Sequence, residues 1–70
     1  MKRITTFAKR LKELRQEREL SQVALSEEVG IGKSAIGSWE LNQNDPLLEN
    51  TIKLAEFFGV TLSYMAGFDE

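Results

Sequence analysis

Residues 30–40 read GIGKSAIGSWE, and their interpretation decides the fold. Gly30, Gly32, Gly37, Lys33 and Ser34 crowd into one short stretch, a composition able to hold a phosphate. Two structures use such residues: a nucleotide-binding loop leaving a strand, and the turn and second helix of a helix-turn-helix. The nucleotide loop requires G-x-x-x-x-G-K-[ST]. Counting back from Gly32, Lys33 and Ser34, its first glycine falls on Glu27, a carboxylate that would repel the phosphates. The looser dinucleotide pattern, matched by GIGKSA, also needs a strand before it. SQVALSEEV reads instead as helix, with Leu25 and Val29 four apart. Both nucleotide readings fail on context.

A helix-turn-helix makes more demands of the same residues. Two helices crossing steeply need a small residue at their closest approach, which Ser26 supplies. The chain must then reverse in a left-handed conformation, which glycine adopts without steric cost, and Gly30 stands there. Leu25, Val29, Ile31, Ile36 and Trp39 supply the apolar faces that both helices bury. All seven positions agree.

Working outward, the rest of the chain also reads as helix. In TTFAKRLKELRQEREL, Phe7, Leu11 and Leu14 form one stripe; Thr5 or Thr6 caps the start and Ile4 is placed to staple it. Ser21 caps the second helix and Gly30 closes it. The third runs from Lys33 to Leu41. Pro46 in NQNDP forbids an uninterrupted helix there. A fourth helix places Leu48, Ile52, Ala55 and Phe58 toward the core and ends at Gly59, and Thr61 caps a short fifth. The expectation is an all-α fold, one compact domain over residues 1–70 with five short helices. Its helix-turn-helix spans about 21–41 and its last two helices about 47–66.

Composition narrows the function. A chain of 70 residues has a thin core, and cysteine and histidine are both absent, so no thiolate or imidazole serves catalysis or a metal. No nucleophile–base pair, acid dyad or metal cluster is spaced for chemistry. Neither an enzyme nor a cofactor is expected, and no small-molecule substrate site is evident. No apolar run reaches membrane-spanning length and no signal peptide is apparent, so the default compartment is the cytoplasm. The net charge of −2 is unevenly spread. Residues 1–18 carry seven cations against two acids, net +5, and residues 19–70 two against nine, net −7. The basic end suits anions and the acidic part avoids them. Lys9 and Arg10 are read as long-range electrostatics only.

The LSQ before the second helix, Leu25, Gly30-Ile31, Ile36, Trp39-Glu40, Pro46 and LAEFFGVTLSYM together resemble the phage-repressor-type (Cro/repressor, XRE) helix-turn-helix family, from about Phe7 to Gly67. The resemblance implies a lambda-repressor-like five-helix domain whose third helix enters the major groove of double-stranded DNA. Such a domain acts as a homodimer on a palindromic operator. It also implies roles for particular residues. Gln22 holds a phosphate and buttresses the third helix. Lys33, Ser34 and Ser38 reach base edges or backbone, and Asn42 and Asn44 meet phosphates. Asn42 also has a purely structural alternative, as a left-handed helix cap in glycine's usual place. Arg15 pairs with Glu40 to fix the first helix to the third. Gly32 departs from the Ser or Thr usual before Lys33. Gly37 costs roughly 1 kcal/mol inside a helix, which a close approach of DNA or of the second helix accounts for.

Two functions remain. One is a sequence-specific transcriptional regulator, a repressor of prophage or mobile-element type. The other is a protein-interaction module on the same fold, an antitoxin or antirepressor that binds through its acidic or C-terminal apolar surface. The apolar Leu62, Tyr64, Met65 and Phe68 are assigned to the dimer interface, because one short helix buries few of them by itself.

Overall fold

Thr6, Ser21 and Thr61 open three of the five helices of the computed structural model, which describes residues 2–69. Their hydroxyls accept from the backbone N–H groups of Lys9 (3.2 Å), Ala24 (3.0 Å) and Tyr64 (3.1 Å), satisfying donors that a helix start leaves over. The elements are α1 (Phe7–Glu17), α2 (Gln22–Val29), α3 (Lys33–Glu40), α4 (Leu48–Phe58) and α5 (Leu62–Met65). Thr6 rather than Thr5 is the first cap. Ile4 is 61% exposed and staples nothing.

The turn between α2 and α3 follows from Gly30, whose φ of +70° is left-handed and whose N–H donates to Ser26 O at 2.9 Å. Gly32 begins α3 without a side-chain cap. At the other end Asn42 takes φ +59°. The Asn42 and Gln43 amides donate to Trp39 O (2.9 Å) and Ser38 O (3.0 Å), a Schellman closure with asparagine in the left-handed place.

Each helix sends one side chain fully out of water: Leu11, Leu25, Ile36, Leu54 and Met65. Each such burial contributes about 2 kcal/mol. Around them α1 packs on α3, α2 on α3, and α4 on α5, with the Phe7 ring meeting Trp39 edge-on at 6.0 Å between centroids.

Two expectations about packing need correction. On α4 the buried residues are Thr51, Leu54, Ala55 and Phe58, whereas Leu48 is 64% exposed and Ile52 39%. Both stripes have helical spacing, so periodicity alone does not choose between them; the neighbouring helices turn the Thr51–Leu54–Phe58 face inward. At the C-terminal end, the set assigned to a dimer interface is largely used within the fold. Met65 is fully buried in the core, Tyr64 lies beneath the Arg10 guanidinium (3.7 Å to the ring centroid), and Phe68 is half-buried in an antiparallel bridge with Arg3. Only Leu62 keeps substantial apolar exposure.

That bridge joins the two ends of the chain. Among the described residues it is the only sheet-like pairing. Gly67 O accepts from the N–H groups of Ile4 (2.9 Å) and Thr5 (3.1 Å), and Asp69 N–H donates to Lys2 O (3.2 Å). Gly67 has φ +105°, and a Cβ there would lie 2.2 Å from Thr5 O.

Candidate nucleic-acid interface

Lys33 and Ser34 stand exposed on the first turn of α3, and Ser38 follows one turn later, half-buried. This end of α3 also carries the positive end of the helix dipole, which favours a phosphate. Asn42 and Asn44 lie exposed in the loop after α3. The left-handed φ of Asn42 gives its backbone the capping role described above, which leaves its side chain free to face solvent.

Behind this surface a polar network holds α3 in place. Arg15 grips Glu40 with a two-pronged fork, Nε to Oε2 at 2.7 Å and Nη2 to Oε1 at 2.9 Å. Its third arm, Nη1, donates to Leu20 O at 2.7 Å and so ties down the α1–α2 turn. The Gln22 amide donates Nε2–H to Glu40 Oε1 at 3.1 Å. One carboxylate thereby links α1, the first turn of α2 and the last turn of α3.

The side chains of Arg15 and Glu40 are only 12% and 4% exposed. Burial by itself raises the pKa of Glu40. The hydrogen bonds from Arg15 and Gln22, with the positive charges of Arg15 and Lys12, overcome that and hold it below its ordinary 4.5. The hydrogen bonds that Arg15 donates to Glu40, with the negative charge of that carboxylate, outweigh burial and move the Arg15 pKa upward.

Gly37 lies against the Gln22 amide, and a Cβ at residue 37 would sit 3.5 Å from Gln22 Oε1. That distance is an ordinary contact. Gly37→Ala is therefore expected to fit, and to raise stability by about 0.5–1 kcal/mol by stiffening the helix. A thermal melt checks this; a fall in melting temperature would mean that the Gln22 amide had been displaced.

Two residues that the sequence reading passed over have structural roles. Arg10, read there as long-range electrostatics, is 4% exposed. It stacks on Tyr64, 3.9 Å from the exposed Glu13 carboxylate, and its Nε and Nη1 are buried without a hydrogen-bond partner. The signal was present, since Phe7, Arg10, Leu11 and Leu14 share one helical stripe. Arg18 donates Nη2–H to Phe58 O at 3.1 Å and lies over the Phe57 and Phe58 rings, closing the C-terminal end of α4. No local pattern announced that contact, which joins residues 40 apart. Arg10 and Arg15 of α1 are thus engaged inside the fold, whereas Lys9 and Lys12 stay exposed. An open cleft of about 530 Å³ between α1 and the α4–α5 turn involves no residue of α3.

Two short helices at a glycine turn, the second presenting an exposed Lys-Ser face braced from behind, define a helix-turn-helix. The chain belongs to the helix-turn-helix family HTH_3, whose model it matches over residues 11–65. Its relatives include the cryptic phage CTXphi transcriptional repressor RstR of Vibrio cholerae, 33% identical over 64 residues, which are 91% of this chain and 58% of that protein. The transcriptional regulator ImmR of Bacillus subtilis (strain 168) is 32% identical over 65 residues, 93% of this chain and 51% of that one. The chain spans about half the length of these relatives. Among solved structures, the P22 c2 repressor protein in complex with a synthetic operator superposes with a TM-score of 0.81 at 26% identity, covering 89% of this chain and 94% of that one.

Proposed function

We propose that this chain is a sequence-specific double-stranded DNA-binding transcriptional regulator. In this reading it is a repressor of prophage or mobile-element type, working in the cytoplasm as two copies on a palindromic operator. The observation that carries the reading is the exposed Lys33–Ser34 face of α3, braced through Glu40 by Arg15 and Gln22. Relatives named as repressors, one of them phage-borne, support it.

In this reading α3 enters the major groove. Lys33 reaches guanine O6/N7 or a phosphate, Ser34 and Ser38 meet bases or backbone, and Asn42 and Asn44 meet phosphates on the flank. Gln22 acts mainly as a brace, with its remaining amide proton available to a phosphate. The face has small side chains and few donors, so DNA shape and water carry part of the specificity.

The test is selection from a random duplex pool at low salt, followed by a salt titration on the enriched site. The expected result is an inverted repeat with half-site centres about 34 Å apart, and a log–log salt slope of roughly −4 to −6. Lys33→Ala is expected to weaken binding about tenfold without unfolding the domain, and unchanged affinity would remove Lys33 from the interface. No enrichment at any salt would favour the protein-interaction reading instead, to which the acidic balance of residues 19–70 points.

A further inference from the structure

The cleft between α1 and the α4–α5 turn, about 530 Å³, falls within the range of small-molecule sites, roughly 300–1,000 Å³. Leu14, Val60 and Tyr64 supply apolar lining, and the exposed Glu17 and Arg18 supply one charge of each sign. Among the described residues the Glu17 carboxylate makes no hydrogen bond or salt bridge. Arg18, its neighbour in the chain, turns instead to α4, donating to Phe58 O at 3.1 Å and lying over the Phe57 and Phe58 rings. Opposite charges on adjacent residues therefore line the cleft without pairing with each other.

We infer that this cleft binds a small zwitterion with an apolar side chain, of the α-amino acid class. The charges decide the class. A cation by itself meets Glu17 but is repelled by Arg18. Tyr64 offers it little, because the Arg10 guanidinium already covers that ring at 3.7 Å from the centroid. An anion by itself meets Arg18 but is repelled by Glu17. A zwitterion sets its ammonium against Glu17 and its carboxylate against Arg18, with its side chain on Leu14, Val60 and Tyr64. Because α1 ends at Glu17, the negative end of the helix dipole adds to the attraction for the ammonium. No residue of α3 takes part, so the inference stands apart from the DNA-binding reading.

The site is open and both charges are exposed to water, so binding is weak. An amino acid of about twelve non-hydrogen atoms, the size of phenylalanine, is expected to bind with a Kd near 1 mM.

The test titrates L-phenylalanine into the whole isotope-labelled chain and follows the backbone amide signals of Gly59, Val60 and Thr61. Saturable shifts at these amides are expected, and their absence up to about 20 mM would overturn the inference. Glycine, which carries both charges but no side chain, should bind about tenfold more weakly or less. Phenylethylamine and N-acetyl-L-phenylalanine keep the ring but only one charge each, and both should bind about fivefold more weakly. Affinity equal to that of L-phenylalanine for glycine or for either derivative would overturn the assignment of an apolar zwitterion. Glu17→Gln should weaken L-phenylalanine about fivefold. Glu17→Lys, at an exposed helix end that favours a cation, should weaken phenylethylamine and strengthen N-acetyl-L-phenylalanine relative to wild type. A melt of each variant checks that the domain still folds. A folded Glu17→Lys with both affinities unchanged would overturn the role given to Glu17.

Discussion

Arg15→Ala is expected to destabilise the protein by about 3 kcal/mol, because it leaves an ionised carboxylate almost enclosed. Glu40 has a side chain only 4% exposed, and two of its three hydrogen bonds come from Arg15. The same change removes the donor to Leu20 O that holds the α1–α2 turn. For a chain of this size the melting temperature should fall by roughly 15 °C. An unchanged melting temperature would refute the pairing as a source of stability.

The pH dependence has a definite sign. Glu40 in the folded protein titrates below its ordinary 4.5, so the stability it contributes is complete above that value. It is lost as pH falls through the lower, folded-state pKa. Wild type should therefore lose stability in acid, below pH ~4.5, more steeply than Arg15→Ala, whose Glu40 has lost its cationic partner. Melts between about pH 3 and 7 read this directly. Because Glu40 is the last residue of α3, the variant should also hold α3, the proposed DNA-contacting helix, less firmly. DNA affinity measured well below the melting temperature would show that loss separately.

Gly67→Ala is the second large effect, of about 3 kcal/mol or more. The added Cβ would lie 2.2 Å from Thr5 O and 2.9 Å from Thr5 C, both backbone atoms that no rotamer change can move. The left-handed φ of +105° opposes any side chain as well. A backbone shift that relieves the clash breaks the bonds from Ile4 and Thr5 to Gly67 O, so the clasp between the chain ends opens. Amide exchange at Ile4 and Thr5 should accelerate first, since chain ends open before the core does. Gly32→Ala is the control: nothing lies within 4 Å of its new Cβ and its φ is −61°, so the change should cost no more than the weaker N-cap, about 1 kcal/mol or less. Protection at Ile4 and Thr5 persisting in Gly67→Ala would show that the clasp tolerates a side chain there.

The parts of the fold visible in the sequence are those made by neighbours. Ser21 accepts from an amide three residues on, and Gly30 donates to a carbonyl four residues back. Both contacts lie within one helical turn, so spacing reveals them. The pairing of Arg15 with Glu40 spans 25 residues and became legible only through family resemblance. Lys33, Ser34 and Ser38 are outward-facing by helical spacing from Ile36 and Trp39, so their positions also follow from sequence.

Local chemistry in the sequence by itself therefore determined the helices, their caps, the glycine turn and the face that α3 presents. Tertiary structure decided the rest. It chose which of two apolar stripes of α4 is buried, drew Met65 and Tyr64 inward, and placed Arg10 over an aromatic ring instead of in solvent. It also set the Gln22 amide against Gly37 and left no room for a side chain at Gly67. For the helical residues the physical reason is the same. A helix period of 3.6 states which residues share a face, but which face meets the core depends on the shapes of helices distant in sequence.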